Sequence, residues 1–272
     1  MNPDNPRAPL EIGRERTVQQ YIVTLLAVFR EVSRVLMHDG TLWLNLGDTY
    51  ASNVEKGRRA GVKEGDLVGI PWRVALAMQD AGWYLRSDII WAKPNPKPES
   101  VTDRPTKAHE YLFLFSKRKD YRYDADAIRE AVTSTGGACF GKQRISSDGT
   151  GAQSRRLKSA SERNHPLGKN KRSVWSVPVR AFPGAHFAVF PKELIKPCIL
   201  AGCPQGGTVL DPFGGSGTTG QVAEKLGRNA ILVELNPAYV AMQGIRERVQ
   251  TLLAPASQVP ATPPTKEPGC LF

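Results

Sequence analysis

An α/β fold with a ligand crevice at the carboxyl ends of its strands, carrying an inserted basic region, is what this sequence predicts, and three observations predict it. Thr208-Val209-Leu210 is a short apolar run that ends in Asp211 and a Gly-rich turn, Pro212-Phe213-Gly214-Gly215-Ser216-Gly217, before a helical stretch reaching Leu226. Asn229 to Val233 is a second apolar run, tipped by Glu234. Thr17 to Gly40 shows apolar residues at helical spacing and leads straight into a third such run, Thr41 to Leu46. Strand, turn and helix alternating in this way build parallel units whose strand tips face one crevice.

Taken in order, residues 1–16 are polar and Pro-rich without periodicity. Thr17-Val18-Gln19-Gln20 reads as a capping box, and Val18, Tyr21, Ile22, Leu25, Phe29, Val32 and Leu36 share one helical face. The strand that follows carries Gly47-Asp48-Thr49-Tyr50 at its tip, which makes Asp48 a candidate ligand-facing residue. Asn53 to Asp66 reads as a charged loop. Gly69-Ile70-Pro71-Trp72 opens a helix to Gly82, with proline in the allowed first turn.

Two strands are expected next, Tyr84 to Ala92 and Glu110 to Ser116. The loop between them holds Pro94, Pro96, Pro98 and Pro105, which stiffen it, and Lys93, Lys97, Arg104 and Lys107, which make it positive. From Lys142 to Arg172 nine basic residues face two acids among Ser, Gly and Asn. A segment of that composition buries little and is expected to order against phosphate. A run around Leu194, Ile195, Ile199 and Leu200 reads as a helix before the 208–210 strand, Pro237 to Leu253 as a closing helix, and Ala254 to Phe272, with five prolines, as a disordered tail.

The acid-tipped turn constrains its ligand. It has no lysine and no G-x-x-x-x-G-K-[ST], which disfavours a triphosphate, and its glycine spacing is not that of a dinucleotide site. Asp211 repels phosphate and attracts a cation or hydroxyls. An acid about 20 residues beyond the turn, here Glu234, suits ribose hydroxyls. A phosphate-free, cationic nucleoside such as S-adenosylmethionine meets these conditions.

Composition narrows the partner. Lys and Arg outnumber Asp and Glu by 37 to 26, a formal charge of +11 and a pI near 9.6, which favours a polyanion. The 272 residues, 40% of them hydrophobic, suffice for one large α/β domain with an insertion. No apolar run approaches membrane-spanning length and no signal pattern opens the chain, so a cytoplasmic protein is expected. The four cysteines, Cys139, Cys198, Cys203 and Cys270, form no C-x-x-C pair, and the histidines are scattered, so no metal site is expected. Cys198 follows a proline but lies in the apolar helical run, and a structural role is expected for it.

Asp211-Pro212-Phe213-Gly214-Gly215-Ser216-Gly217-Thr218-Thr219 resembles the D-P-F-x-G-x-G-T-T cofactor motif of the DNA amino-methyltransferases, which methylate adenine N6 or cytosine N4. Glu234-Leu235-Asn236-Pro237 is similar to their second cofactor motif, and the Arg180 to Leu194 stretch to the motif beside the methionine end of the cofactor. The resemblance implies a Rossmann-like S-adenosylmethionine-dependent methyltransferase sheet. It implies cofactor binding by Asp211, Pro212, Phe213, Gly214, Gly215, Gly217, Thr218, Glu234, Asn236 and Lys192. Trp91-x-Lys93-x-Asn95 and His109-Glu110 resemble the strands that close the family's target-base pocket, so Trp91, Lys93, Asn95 and Asp48 are its expected wall. Arg155, Arg156, Lys158, Lys169, Lys171 and Arg172 are the expected DNA contacts.

The order of the motifs is that of the family's β group, and it divides the chain into a catalytic half (1–123), a recognition insertion (124–182), a cofactor half (183–253) and the tail (254–272). Duplex DNA is the implied substrate, and a separate cognate restriction endonuclease an implied partner. The family's catalytic [DNS]-P-P-[YFW] motif, on a strand beside the cofactor strand, occurs nowhere in the 272 residues. Two expectations follow. Either an upstream start supplies that strand, with an intact mass above 29.8 kDa, or the chain is a non-catalytic DNA-binding remnant.

Overall fold

The computed structural model describes residues 11–51, 61–131, 165–180, 190–243 and 248–253. Helix α1 (Val18–Val35) begins where the sequence puts it: the Thr17 hydroxyl accepts from the Gln20 backbone N–H at 3.1 Å. It ends at Val35, a turn short of Gly40. Leu36 turns extended there, and the Lys117 ammonium donates to the carbonyls of Ser33 and Leu36 at 2.8 and 2.9 Å. Strands β1 (Thr41–Leu46), β2 (Tyr84–Ala92) and β3 (His109–Ser116) and helix α2 (Ile70–Asp80) follow.

A short strand β4 (Val174–Ser176), helix α3 (Lys192–Gly202), β5 (Thr208–Asp211), α4 (Thr218–Lys225), β6 (Asn229–Glu234), α5 (Pro237–Gln243) and β7 (Val249–Leu253) complete the chain. The expected closing helix is therefore corrected. Helix α5 covers only its first part, and Val249 to Leu253 pairs in parallel with β6, from Ala230↔Val249 to Glu234↔Leu253. Val249, Thr251 and Leu252 fit a sheet edge, and Gly244 lies between the two elements.

The strands form two sheets. One has the order β1-β3-β2-β4, with β3 antiparallel to both neighbours and β4 parallel to β2; the other is β5-β6-β7, all parallel. Among the described residues neither β1 nor β5 has a strand on its second edge. The halves meet through side chains: Leu210 packs against the core under β1, and the Phe29 and Phe213 rings meet edge to face at 6.4 Å.

Both faces of the first sheet are covered, which explains the unbroken Tyr-Leu-Phe-Leu-Phe run of β3. Phe113 and Phe115 face Phe29 of α1 and Val74 and Met78 of α2, while Leu112 faces Trp91, Trp175 and Leu194. Trp175 comes from the far end of the basic insertion, and so does β4. The described carboxyl end of that insertion is thus part of the sheet and its core. Cys198 lies in the same core and its thiol donates to the Leu194 carbonyl at 3.5 Å. Burial pushes that thiol well above its ordinary pKa, which suits the structural role expected of it. No helix among the described residues is long and apolar enough to cross a membrane.

Candidate cofactor and base sites

The Gly-rich turn sits between β5 and α4, and the second acid ends the neighbouring strand. Because Asp211 registers with Leu232, Glu234 projects two residues beyond it on the same side of the sheet. Asp211 closes the turn on itself, accepting from the Phe213 N–H at 2.9 Å and from the Thr219 hydroxyl at 2.5 Å. Its carboxyl is enclosed, and burial raises its pKa above the ordinary value against the pull of those two hydrogen bonds.

Glu234 ties the turn to the next helix. It accepts from the Gly215 N–H and from the Asn236 N–H, both at 2.7 Å, and Asn236 in turn accepts from Ala238 at the start of α5. Each glycine of the turn has its own reason. A Cβ on Gly214 would lie 2.9 Å from that of Leu232, and Gly217 holds a φ of +82° at the start of α4. A Cβ on Gly215 would meet only the Phe213 carbonyl, at 3.8 Å, so open space lies on that side of the turn. Gln243 underlies this, donating to the Gly215 carbonyl at 2.7 Å. Pro212 and Thr218 lie within the same turn, Thr218 buried at the first position of α4, and Phe213 stays 47% exposed. Lys192 lies apart from this cluster in sequence, exposed in the first turn of α3.

The expected base-pocket residues converge at the carboxyl ends of β1 and β2. Lys93 forms an ion pair with Glu110 and lies 4.5 Å above the Trp91 ring. Glu110 also accepts from Asn45 at 3.1 Å, a residue 65 positions away. Trp91 is buried, its indole N–H donating to the Val177 carbonyl at 2.8 Å. Asn95 is bonded both ways to the backbone of Val179, at 2.9 and 2.8 Å. Asp48 accepts from the Gly69 and Ile70 amides, which caps α2 from a distance. All four therefore have their polar groups bonded inside the protein, and they form a rigid wall.

Asn45 and Glu110 complete that wall. The polar Asn45 inside the apolar run Leu42 to Leu46 was the signal for it. Beside the wall, Asp48, Thr49, Tyr50, Pro98, Glu99, Ser100, Val101, Arg104 and Lys107 line an open cleft of about 450 Å³.

Of the expected DNA contacts, Arg155, Arg156 and Lys158 lie outside the described residues. Lys169 is exposed and bridges to Glu130 through backbone hydrogen bonds of 2.9 and 3.0 Å. Arg172 donates to the Glu130 carboxylate at 2.8 Å and Lys171 lies 3.8 Å from it, so one acid organises both cations. Among the described residues no cluster of three or more His, Cys, Asp or Glu could hold a metal ion.

The family model described as DNA methylase matches residues 8–244. The chain is 43% identical over 256 residues to the Type II methyltransferase M.SmaI of Serratia marcescens, covering 88% of this chain and 77% of that protein. It is 45% identical over 254 residues to the Type II methyltransferase M.XycI of Xanthomonas campestris pv. cyanopsidis, covering 87% and 74%. Among solved structures, PvuII DNA methyltransferase (cytosine-N4-specific) is similar in fold, with a TM-score of 0.61 at 20% identity over 89% of this chain and 75% of that one. A putative DNA modification methylase of Thermus thermophilus, solved with S-adenosyl-L-methionine, gives 0.54 at 22% identity over 87% and 83%. With a family match over most of its length and relatives above 40% identity, the chain belongs to the DNA methylase family and is a DNA amino-methyltransferase.

Proposed function

We propose that this protein transfers a methyl group from S-adenosylmethionine to an exocyclic amine, adenine N6 or cytosine N4, at a specific sequence in duplex DNA. One observation carries the reading: a bare glycine turn framed by two strand-tip carboxylates, Asp211 and Glu234, with no lysine or arginine in either motif. That donor set fits a phosphate-free nucleoside. Each Glu234 oxygen already takes one backbone amide, and its second lone pair is available for a ribose hydroxyl. The Phe213 ring offers an apolar face to a purine, and exposed Lys192 offers a cation to a carboxylate.

The cofactor, when bound, supplies a methyl group activated by a sulfonium. The chain's own residues supply placement, because in-line transfer to an amine is accelerated mainly by orientation and by excluding competing geometries. The Lys93–Glu110–Asn45 network and the Trp91 and Asn95 anchors hold the wall against which an extruded base is read.

Lys169, Lys171 and Arg172, with Arg155, Arg156 and Lys158, are proposed as contacts to the DNA backbone. The Type II names of the relatives support a pairing with a separate restriction endonuclease, in the cytoplasm where the DNA is. The test is transfer of labelled methyl from S-adenosylmethionine into duplex DNA, with RNA as the comparison. Label in duplex alone supports the reading. DNA binding with no transfer supports instead a non-catalytic remnant, and label in RNA alone overturns the substrate.

A further inference from the structure

The cleft beside the base wall contains two cations with unmet hydrogen-bonding capacity. Arg104 Nε and Lys107 Nζ are each shielded from bulk water and have no hydrogen-bond partner among the described residues. The Lys107 ammonium lies 4.0 Å from Asp48 Oδ2, too far for a hydrogen bond. Arg104 reaches only Asp103, through Nη1 at 3.3 Å. Each cation has a carboxylate nearby, Asp103 for Arg104 and Asp48 for Lys107, but donors shielded from water without a hydrogen bond are costly, so such an arrangement calls for a ligand rich in acceptors.

Two acids line the same cleft, and each already accepts backbone amides. Asp48 Oδ1 takes the amides of Thr49, Gly69 and Ile70 at 2.9, 2.9 and 3.0 Å, and Oδ2 takes that of Gly69 at 3.1 Å. The positive end of α2 further offsets its charge. Glu99 is exposed and accepts from the Lys107 amide at 3.3 Å. The unmet demand is therefore for hydrogen-bond acceptors, which an oxyanion supplies. Arg104 is preorganised for one, its guanidinium stacked 3.8 Å above the Tyr50 ring, and the hydroxyl-bearing Thr49 and Ser100 stand beside it.

We propose that this cleft holds one phosphodiester group of the DNA strand next to the extruded nucleotide, with Arg104 and Lys107 as its ligands. The proposal rests on the DNA reading above. Its location supports it: the cleft follows the carboxyl tip of β1 and shares Asp48 with the wall proposed to read the extruded base. A phosphate presents enough oxygens for both cations, and the exposed residues Glu99, Ser100 and Val101 form the side through which it enters. The four prolines of the loop limit the ordering cost of closing on it.

The experiment measures dissociation constants for a short mixed-sequence duplex across a salt series, for the full protein and an Arg104→Gln/Lys107→Met variant. S-adenosylmethionine affinity is measured in parallel. Phosphate contacts are sequence-independent, and each contributes about 0.9 to the slope of log affinity against log salt. The double variant should bind duplex about tenfold more weakly at low salt with a slope smaller by about 1, its cofactor affinity unchanged. Lys107→Gln alone, a milder change in case the double variant unfolds, should lose severalfold with the same sign. Unchanged affinity and slope in either folded variant overturn the proposal and leave the cations to bound water. Loss of cofactor affinity alongside DNA affinity would also overturn it, by making the residues props of the whole site. Wild-type protein that binds cofactor but no duplex at any salt would sink the DNA reading, and the proposal with it, which separates the two failures.

Discussion

Asp211 has its carboxyl enclosed and hydrogen-bonded by Phe213 and Thr219, and burial leaves its pKa raised. An acid whose folded pKa is raised holds its proton more tightly folded than unfolded. Its contribution therefore favours the folded state below the ordinary aspartate value and is lost as pH rises through the elevated folded value. Asp211→Asn removes that titration. Urea midpoints at a series of acidic pH values should show the variant gaining on the wild type as pH rises through this window, and a constant gap would contradict the assignment. Glu234→Gln should weaken S-adenosylmethionine binding roughly tenfold, measured by calorimetry, because a carboxylate acceptor is lost at the strand tip. Unchanged affinity would remove Glu234 from the cofactor site. Both acids were legible in the sequence because their chemistry lies in short linear motifs. The Glu110 network was not, since Asn45 and Glu110 are 65 residues apart and only the β1–β3 pairing joins them.

At the level of elements, the glycine turn is held by its neighbours as much as by its own sequence. Gly214→Ala would press a methyl within 2.9 Å of the Leu232 Cβ in a parallel strand that cannot retreat, and overpacking of that kind costs about 1–3 kcal/mol. Chemical unfolding should show that loss together with weaker cofactor binding. Phe29 is 2% exposed and joins α1 to both halves, through Phe113 and Phe115 on one side and the Phe213 ring on the other. Phe29→Ala should lower unfolding free energy by about 3–5 kcal/mol. A cost near that of a surface site would mean that α1 does not seal the core.

Strong periodicity made α1 and β1 to β3 readable from sequence, and the cap at Thr17 fixed where α1 begins. The failure at Val249 to Leu253 has a physical cause. Five residues are too few to separate a helical from a strand period, and the parallel partner β6 decided the outcome. Strand β4 escaped notice for a similar reason: three residues at the end of a basic stretch become a strand only because β2 presents an edge to them.

For the whole molecule, the motif order implied a single methyltransferase sheet, whereas the described strands fall into two, β1-β3-β2-β4 and β5-β6-β7; the +11 charge pointed to a polyanion. Composition could not say how cations are disposed. Lys171 and Arg172 share Glu130, while Arg104 Nε and Lys107 Nζ have no hydrogen-bond partner among the described residues. Binding to duplex should therefore weaken steeply with salt, and Glu130→Gln, which frees two cations, should change that slope, as equilibrium titration would reveal. The central claim is methylation of an exocyclic amine in DNA. Its most direct test is nucleoside analysis of duplex DNA incubated with S-adenosylmethionine and the protein purified from its native locus. The expected product is N6-methyladenine or N4-methylcytosine at one recurring sequence; DNA that is bound but unmodified, or methylated on a ring carbon, would contradict it.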